Sequence, residues 1–117
     1  MTRWVSFGVC GLVLAGSVYA VAQHQSTFER ITVTNTAVGV ATATTNPTGR
    51  QQMNTCYARL ESGGVYFRDD GTDPTATVGA PLDVGDTVTI SGNSIARSIR
   101  FIRSASTNGI LSVRCYP

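Results

Sequence analysis

From Phe28 to the C-terminus the chain is interrupted at roughly 8–12-residue intervals by Gly, Pro, Asn and Asp, with short β-branched or aromatic runs between. That punctuation constrains the fold more than any other feature, because it leaves no stretch with a capped 3.6-residue period. Strands are expected near 29–35, 38–43, 54–61, 64–69, 86–91, 95–103 and 110–116. In the first, Ile31 and Val33 alternate with Thr32 and Thr34. In the third, Cys56, Ala58 and Leu60 take one face while Tyr57, Arg59 and Glu61 take the other. The fold class is therefore all-β: a small antiparallel β-sandwich or barrel of about seven short strands, preceded by an apolar N-terminal segment.

The connections carry their own signals. Asn46-Pro47-Thr48-Gly49 and Asp83-Val84-Gly85-Asp86 read as turns, and Gly63-Gly64 supplies the left-handed backbone of a tight connection. Asn108-Gly109 predicts a terminal hairpin. A two-residue loop there sets Arg103 opposite Arg114, which is unfavourable for like charges. A three-residue loop with Gly109 in a bulge shifts the register by one. Phe101 then joins Leu111, Val113 and Cys115 on one face, with Ile95 and Ile99, and this register is preferred. Finding Ile102 across from Val113 or Cys115 would contradict it.

With 117 residues there is room for one small domain and not for two of ordinary size. Residues 1–22 differ from the rest: Arg3 precedes the uncharged stretch Trp4–Ala22, which ends in Ala20-Val21-Ala22. Three readings stand side by side. The segment is a signal peptide or anchor, a retained apolar arm, or an upstream miscall with Val21 as the true start. Membrane contact is expected only if 4–22 is a retained anchor. Residues 23–28 form a lead-in, and the β domain is expected over 29–117.

A body this size is marginal unless something reinforces it. Cys56 and Cys115, the only cysteines after the leader, both fall on the apolar phase of their strands. One reading is a Cys56–Cys115 bridge, contributing about 4 kcal/mol by the chain-entropy argument. The other is a pair of buried thiols acting as small apolar side chains. The compartment decides: export favours the bridge, cytoplasmic assembly the thiols.

Composition excludes several activities. Charged residues make up 14% and the net charge is +2, too little for an electrostatic nucleic-acid binder, so no nucleic acid partner is expected. All nine cationic residues are Arg, which removes Schiff-base and P-loop lysine chemistry. The only His is His24, in the lead-in. No triad, metal set or phosphate loop is legible, so neither catalysis nor a cofactor is expected.

Three clusters remain as candidate sites. Arg68-Asp69-Asp70-Gly71-Thr72-Asp73-Pro74 offers three carboxylates around a glycine, but its spacing does not match a calcium loop, and a β-turn is the plainer account. Arg97, Arg100 and Arg103, with Arg114 nearby, read as an acidic-partner patch or as solvated or inter-subunit arginines. On one strand Arg97 and Arg103 would share a face and Arg100 would oppose them. Tyr57, Tyr66, Phe67 and Tyr116 form either a sugar-binding surface or ordinary core and edge packing.

The stretch Val65-Tyr66-Phe67-Arg68-Asp69-Asp70-Gly71-Thr72-Asp73-Pro74-Thr75-Ala76, followed by Gly79, Leu82, Gly85-Asp86, Ile99-Arg100-Phe101-Ile102-Arg103 and Leu111-Ser112-Val113-Arg114-Cys115-Tyr116, resembles small structural proteins of tailed bacteriophages and prophages. The resemblance covers about residues 28–117, and Asp70-Gly71-Thr72 and Pro74-Thr75-Ala76 are its most specific part. It implies a β-sandwich or barrel subunit of the virion, in the head, neck or tail, whose partners are copies of itself and other virion proteins. On that implication Arg68, Asp69, Asp70, Asp73, Arg97 and Arg103 are candidate inter-subunit contacts. The alternative is a secreted or periplasmic binding or adhesion module carrying the Cys56–Cys115 bridge.

Overall fold

The computed structural model describes residues 26–117. The leader 1–22 and residues 23–25 of the lead-in, His24 among them, lie outside the described residues. Eight strands and two short helices follow in the order β1 (Thr27–Val33), β2 (Val38–Gly39), α1 (Thr42–Thr45), β3 (Thr55–Ser62), β4 (Val65–Arg68), β5 (Ala80–Leu82), β6 (Thr87–Ser91), α2 (Asn93–Ser98), β7 (Arg100–Arg103) and β8 (Gly109–Tyr116). They form two antiparallel sheets. Sheet A has the order β1-β8-β3-β6 and sheet B the order β2-β7-β4-β5.

The pairings are nested. β1 pairs β8, β2 pairs β7, β3 pairs β6 and β4 pairs β5, as in one long hairpin. The further pairings β3–β8 and β4–β7 roll that hairpin into two facing sheets. This is jelly-roll connectivity, two Greek keys in eight strands.

Strand alternation builds the core. In β8 Leu111, Val113 and Cys115 are buried while Arg114 and Tyr116 are exposed. Sheet A also contributes Ile31, Val33, Ala58, Leu60 and Ile90, and sheet B contributes Val65, Leu82 and Phe101 to the same cluster. Phe101 and Met53 are its largest fully buried side chains.

Two of the four sheet edges are protected. On β1, Glu29 Oε1 accepts from the Ala41 N–H at 2.9 Å and the Thr44 hydroxyl at 2.9 Å, while Thr27 Oγ1 donates to the Thr44 carbonyl at 2.6 Å. These bonds hold α1 along the outside of β1. On sheet B, Pro81 sits in the edge strand β5, where its missing N–H is tolerated. Asn93, at the start of α2, donates from Nδ2 to the Met53 carbonyl at 2.7 Å and lies 3.3 Å from the Thr45 carbonyl. It ties α2 to both ends of the 46–54 connection.

Several expectations are corrected. Among the described residues eight strands form where about seven were expected, the addition being β5, which forms despite its proline. β1 begins at Thr27, so Thr27 and Phe28 belong to the sheet and not to a lead-in. The strand expected at 38–43 stops at Gly39, and Glu29 draws the following residues into α1. The strand expected at 95–103 is split: Asn93–Ser98 are helical and only Arg100–Arg103 is extended.

The terminal hairpin does not form either, since β7 belongs to sheet B and β8 to sheet A. Phe101 lies opposite Phe67 and Val38, and Ile102 opposite Tyr66. Phe101 nonetheless shares one core with Leu111, Val113 and Cys115, because the two strands face each other across the sandwich. Ile99 is buried with them, but Ile95 is exposed.

Gly63 makes the corner between the sheets. Its φ is +73°, and a Cβ there would lie 2.7 Å from the Asn108 carbonyl oxygen and 2.9 Å from the Gly109 Cα. Both conditions demand glycine.

Candidate functional site

The polar cluster at residues 68–73 has a structural task. Pairing of β4 with β7 sets Arg68 directly opposite Arg100. Two like charges in register destabilise a sheet unless carboxylates stand over them. The β4–β5 loop supplies these. Asp70 takes a fork from Arg68, with Nε to Oδ1 at 3.1 Å and Nη2 to Oδ2 at 2.5 Å. Asp73 Oδ1 stands 3.9 Å from Arg100 Nε. The Thr72 N–H also donates to Asp70 Oδ1 at 3.2 Å, closing an Asx-type turn.

The Arg68 fork, and after it the Thr72 N–H, holds the Asp70 carboxyl below its ordinary range, and the same pair raises the Arg68 guanidinium. Gly79 ends the loop at φ +154°, where a Cβ would lie 2.9 Å from the Tyr66 Cβ. Beneath the loop is an open depression of about 390 Å³ lined by Phe67, Arg68, Asp69, Asp70 and Val78 among others.

The remaining expected contacts disperse. Asp69 is exposed beside the network. Arg97 lies on α2, exposed, so it does not share a strand face with Arg103. Only the Arg97 carbonyl meets the cluster, accepting from Arg100 Nη1 at 3.2 Å. Arg103 donates to Asn108 Oδ1 at 2.7 Å, bracing the turn into β8.

Cys56 and Cys115 are bridged. They sit directly opposite each other in the β3–β8 ladder with Cα atoms 4.1 Å apart, and both are fully buried.

The aromatic set divides as well. Tyr57 and Tyr116 project from the outer face of sheet A, whereas Tyr66 lies on sheet B and Phe67 packs against the core beside Phe101. Phe28, in β1 and not in the expected lead-in, completes the group on sheet A. The register aligns Phe28 on β1, Arg114 on β8, Tyr57 on β3 and Thr89 on β6 in one row across all four strands. The Arg114 guanidinium lies 5.9 Å from the Phe28 ring centroid, and Tyr57 meets Tyr116 edge-to-face at 6.0 Å.

In the next row Arg30, Ser112, Arg59 and Thr87 align. Glu61 accepts there from Arg30 Nη2 at 3.4 Å and from the Ser112 hydroxyl. The signal for this surface was present in the alternation of three separate strands. Without their pairing, nothing placed those strands side by side.

No family model, curated protein or solved structure matches the chain.

Proposed function

We propose that this chain is a non-enzymatic structural subunit of a tailed-bacteriophage particle, serving in the head, neck or tail through contacts repeated with copies of itself and with other virion proteins. The observation that carries this reading is the nested eight-strand connectivity, an architecture that capsid subunits use. The warrant is one of fold-level analogy. It is joined by the resemblance over about residues 28–117, whose most specific parts, Asp70-Gly71-Thr72 and Pro74-Thr75-Ala76, belong to the loop that neutralises two opposed arginines. Closed symmetry would multiply a modest surface into a stable assembly. Mass spectrometry of purified particles tests the reading: peptides from 26–117 are expected at a copy number set by the particle's symmetry. Absence from particles, together with a monodisperse monomer at high concentration, would sink it.

A second reading, a secreted or periplasmic binding or adhesion module, is favoured by the Cys56–Cys115 disulfide, since such bridges persist in oxidising compartments. An intact mass two hydrogens light and beginning at Gln23 supports export. A mass beginning at Met1 or Val21 supports the particle.

A further inference from the structure

We infer that the outer face of sheet A is a binding surface for an acidic polysaccharide. Three rings stand exposed on it, Phe28 at 58%, Tyr57 at 43% and Tyr116 at 39%. They are spread over three adjacent strands, held in place by the Arg114–Phe28 and Tyr57–Tyr116 contacts. Around them the outward positions carry hydroxyls: Thr55, Thr87, Thr89, Ser91 and Ser112. Rings that present a flat apolar face among hydroxyl groups match the chemistry of a sugar chain, which offers C–H faces to stack and hydroxyls to bond. Tyr and Arg also anchor protein interfaces, so the charged polypeptide in the test below stands for that occupant; the hydroxyls surrounding these rings are what favour a sugar chain.

The charge of the face selects the class of sugar. Of its three arginines only Arg30 has a carboxylate, Glu61. Among the described residues, neither Arg59 nor Arg114 forms an ion pair. Arg114 is held only over a ring, and Arg59 borders an open depression of about 400 Å³ shared with Glu61, Val84 and Ser112. Two uncompensated guanidiniums beside stacking rings suit a carboxylated or sulfated sugar, which Arg binds through its planar fork. On sheet B, by contrast, Arg68 and Arg100 already have Asp70 and Asp73. The inference goes beyond the structural role proposed above. It applies equally to a subunit on a particle surface and to an exported module.

The test uses the full disulfide-bonded chain with polygalacturonate as the probe, neutral dextran as the uncharged control and poly-L-glutamate as the charged control without sugar rings. Calorimetry is expected to show binding to polygalacturonate at least tenfold tighter than to either control. Tyr57→Ala and Arg114→Ala are each expected to weaken it tenfold or more with thermal unfolding little changed. Arg97→Ala, on α2 and away from this face, is expected to leave it unaltered. Equal affinity for poly-L-glutamate, no binding at all, or binding indifferent to Tyr57→Ala would overturn the inference. Because the outer-face side chains stand clear of the core, Tyr57→Ser and Arg114→Gln serve if an alanine variant fails to fold. Particle composition plays no part in this experiment, so its failure leaves the virion reading standing, and the reverse holds too.

Discussion

The two sheets of this sandwich are built on different terms. Sheet A has strands of 7, 8, 8 and 5 residues, and a disulfide joins its two central strands. Sheet B has strands of 2, 4, 4 and 3 residues, and at one end two arginines in direct opposition need carboxylates from a loop. Sheet A has long ladders and a covalent staple, and on its outer face Arg59 and Arg114 stand beside exposed rings without an ion pair among the described residues. Sheet B uses its polar side chains on itself. A long-stranded sheet that keeps some outer arginines free of carboxylates suits contact with a partner, whereas a sheet occupied with its own charges suits a scaffold.

The largest test of that contrast is removal of the staple. Cys56→Ser with Cys115→Ser, or reduction, is expected to cost about 4 kcal/mol through the unfolded chain, since the bridge closes a loop with a sequence separation of 59. Thermal melting should fall by about 20 °C in a domain of this size. Hydrogen exchange would then show whether sheet A loses its protection first. If β3 and β8 stayed the most protected strands after reduction, their ladders alone would account for the rigidity of sheet A.

The corner between the sheets comes next. Gly63→Ala forces a Cβ into a left-handed backbone and against the Asn108 carbonyl, for an expected loss of about 2 kcal/mol in denaturant unfolding. A neutral result would show that the 108–109 connection yields, and that the two sheets are less tightly coupled than the contact implies.

Asn93→Ala removes the amide that reaches the Met53 carbonyl, and a loss of about 1–2 kcal/mol is expected, measurable as a shift in urea midpoint. Hydrogen exchange should loosen most around α1 and α2, leaving the β3–β8 ladder unchanged.

The smallest effect belongs to the charges of sheet B. The Asp70 carboxyl is held below its ordinary value, so its contribution is present above the unfolded-state value of about 3.8 and fades as pH falls through the lower folded value. Asp70→Asn is expected to lower the melting temperature by a few degrees at neutral pH, because the pair is exposed and screened. The gap from the parent chain should close under acid. High salt should narrow it as well, and should leave the disulfide effect of sheet A untouched.

How much of this was legible beforehand varies with distance along the chain. The strand at 54–61 and the inward phase of Cys56, Ala58 and Leu60 came directly from alternation, and β3 carries that pattern. The register argument for the terminal hairpin buried Phe101 with Leu111 and Val113, although the strands do not pair, because burial follows side-chain phase whichever sheet a strand joins. Helix α2 was missed: Asn93-Ser94-Ile95-Ala96-Arg97-Ser98 is too short for a period to show, and it forms where Gly92 and the Asn93 amide turn the chain between sheets. Strand β5 was missed because its proline is tolerated only at an edge, and a single sequence does not mark edges.

Alternation and turn chemistry along the chain specify the all-β class, most of the turn positions and the inward phase of most strands. Those properties depend on side chains two residues apart and on backbone preferences at single glycines and prolines. Strand pairing alone brings Cys56 to Cys115, sets Arg68 against Arg100, and lines up Phe28, Arg114 and Tyr57 in one row. Each of these unites segments tens of residues apart, and their meeting depends on how eight strands share two buried faces. Local patterns give a strand its faces. They do not choose its neighbours.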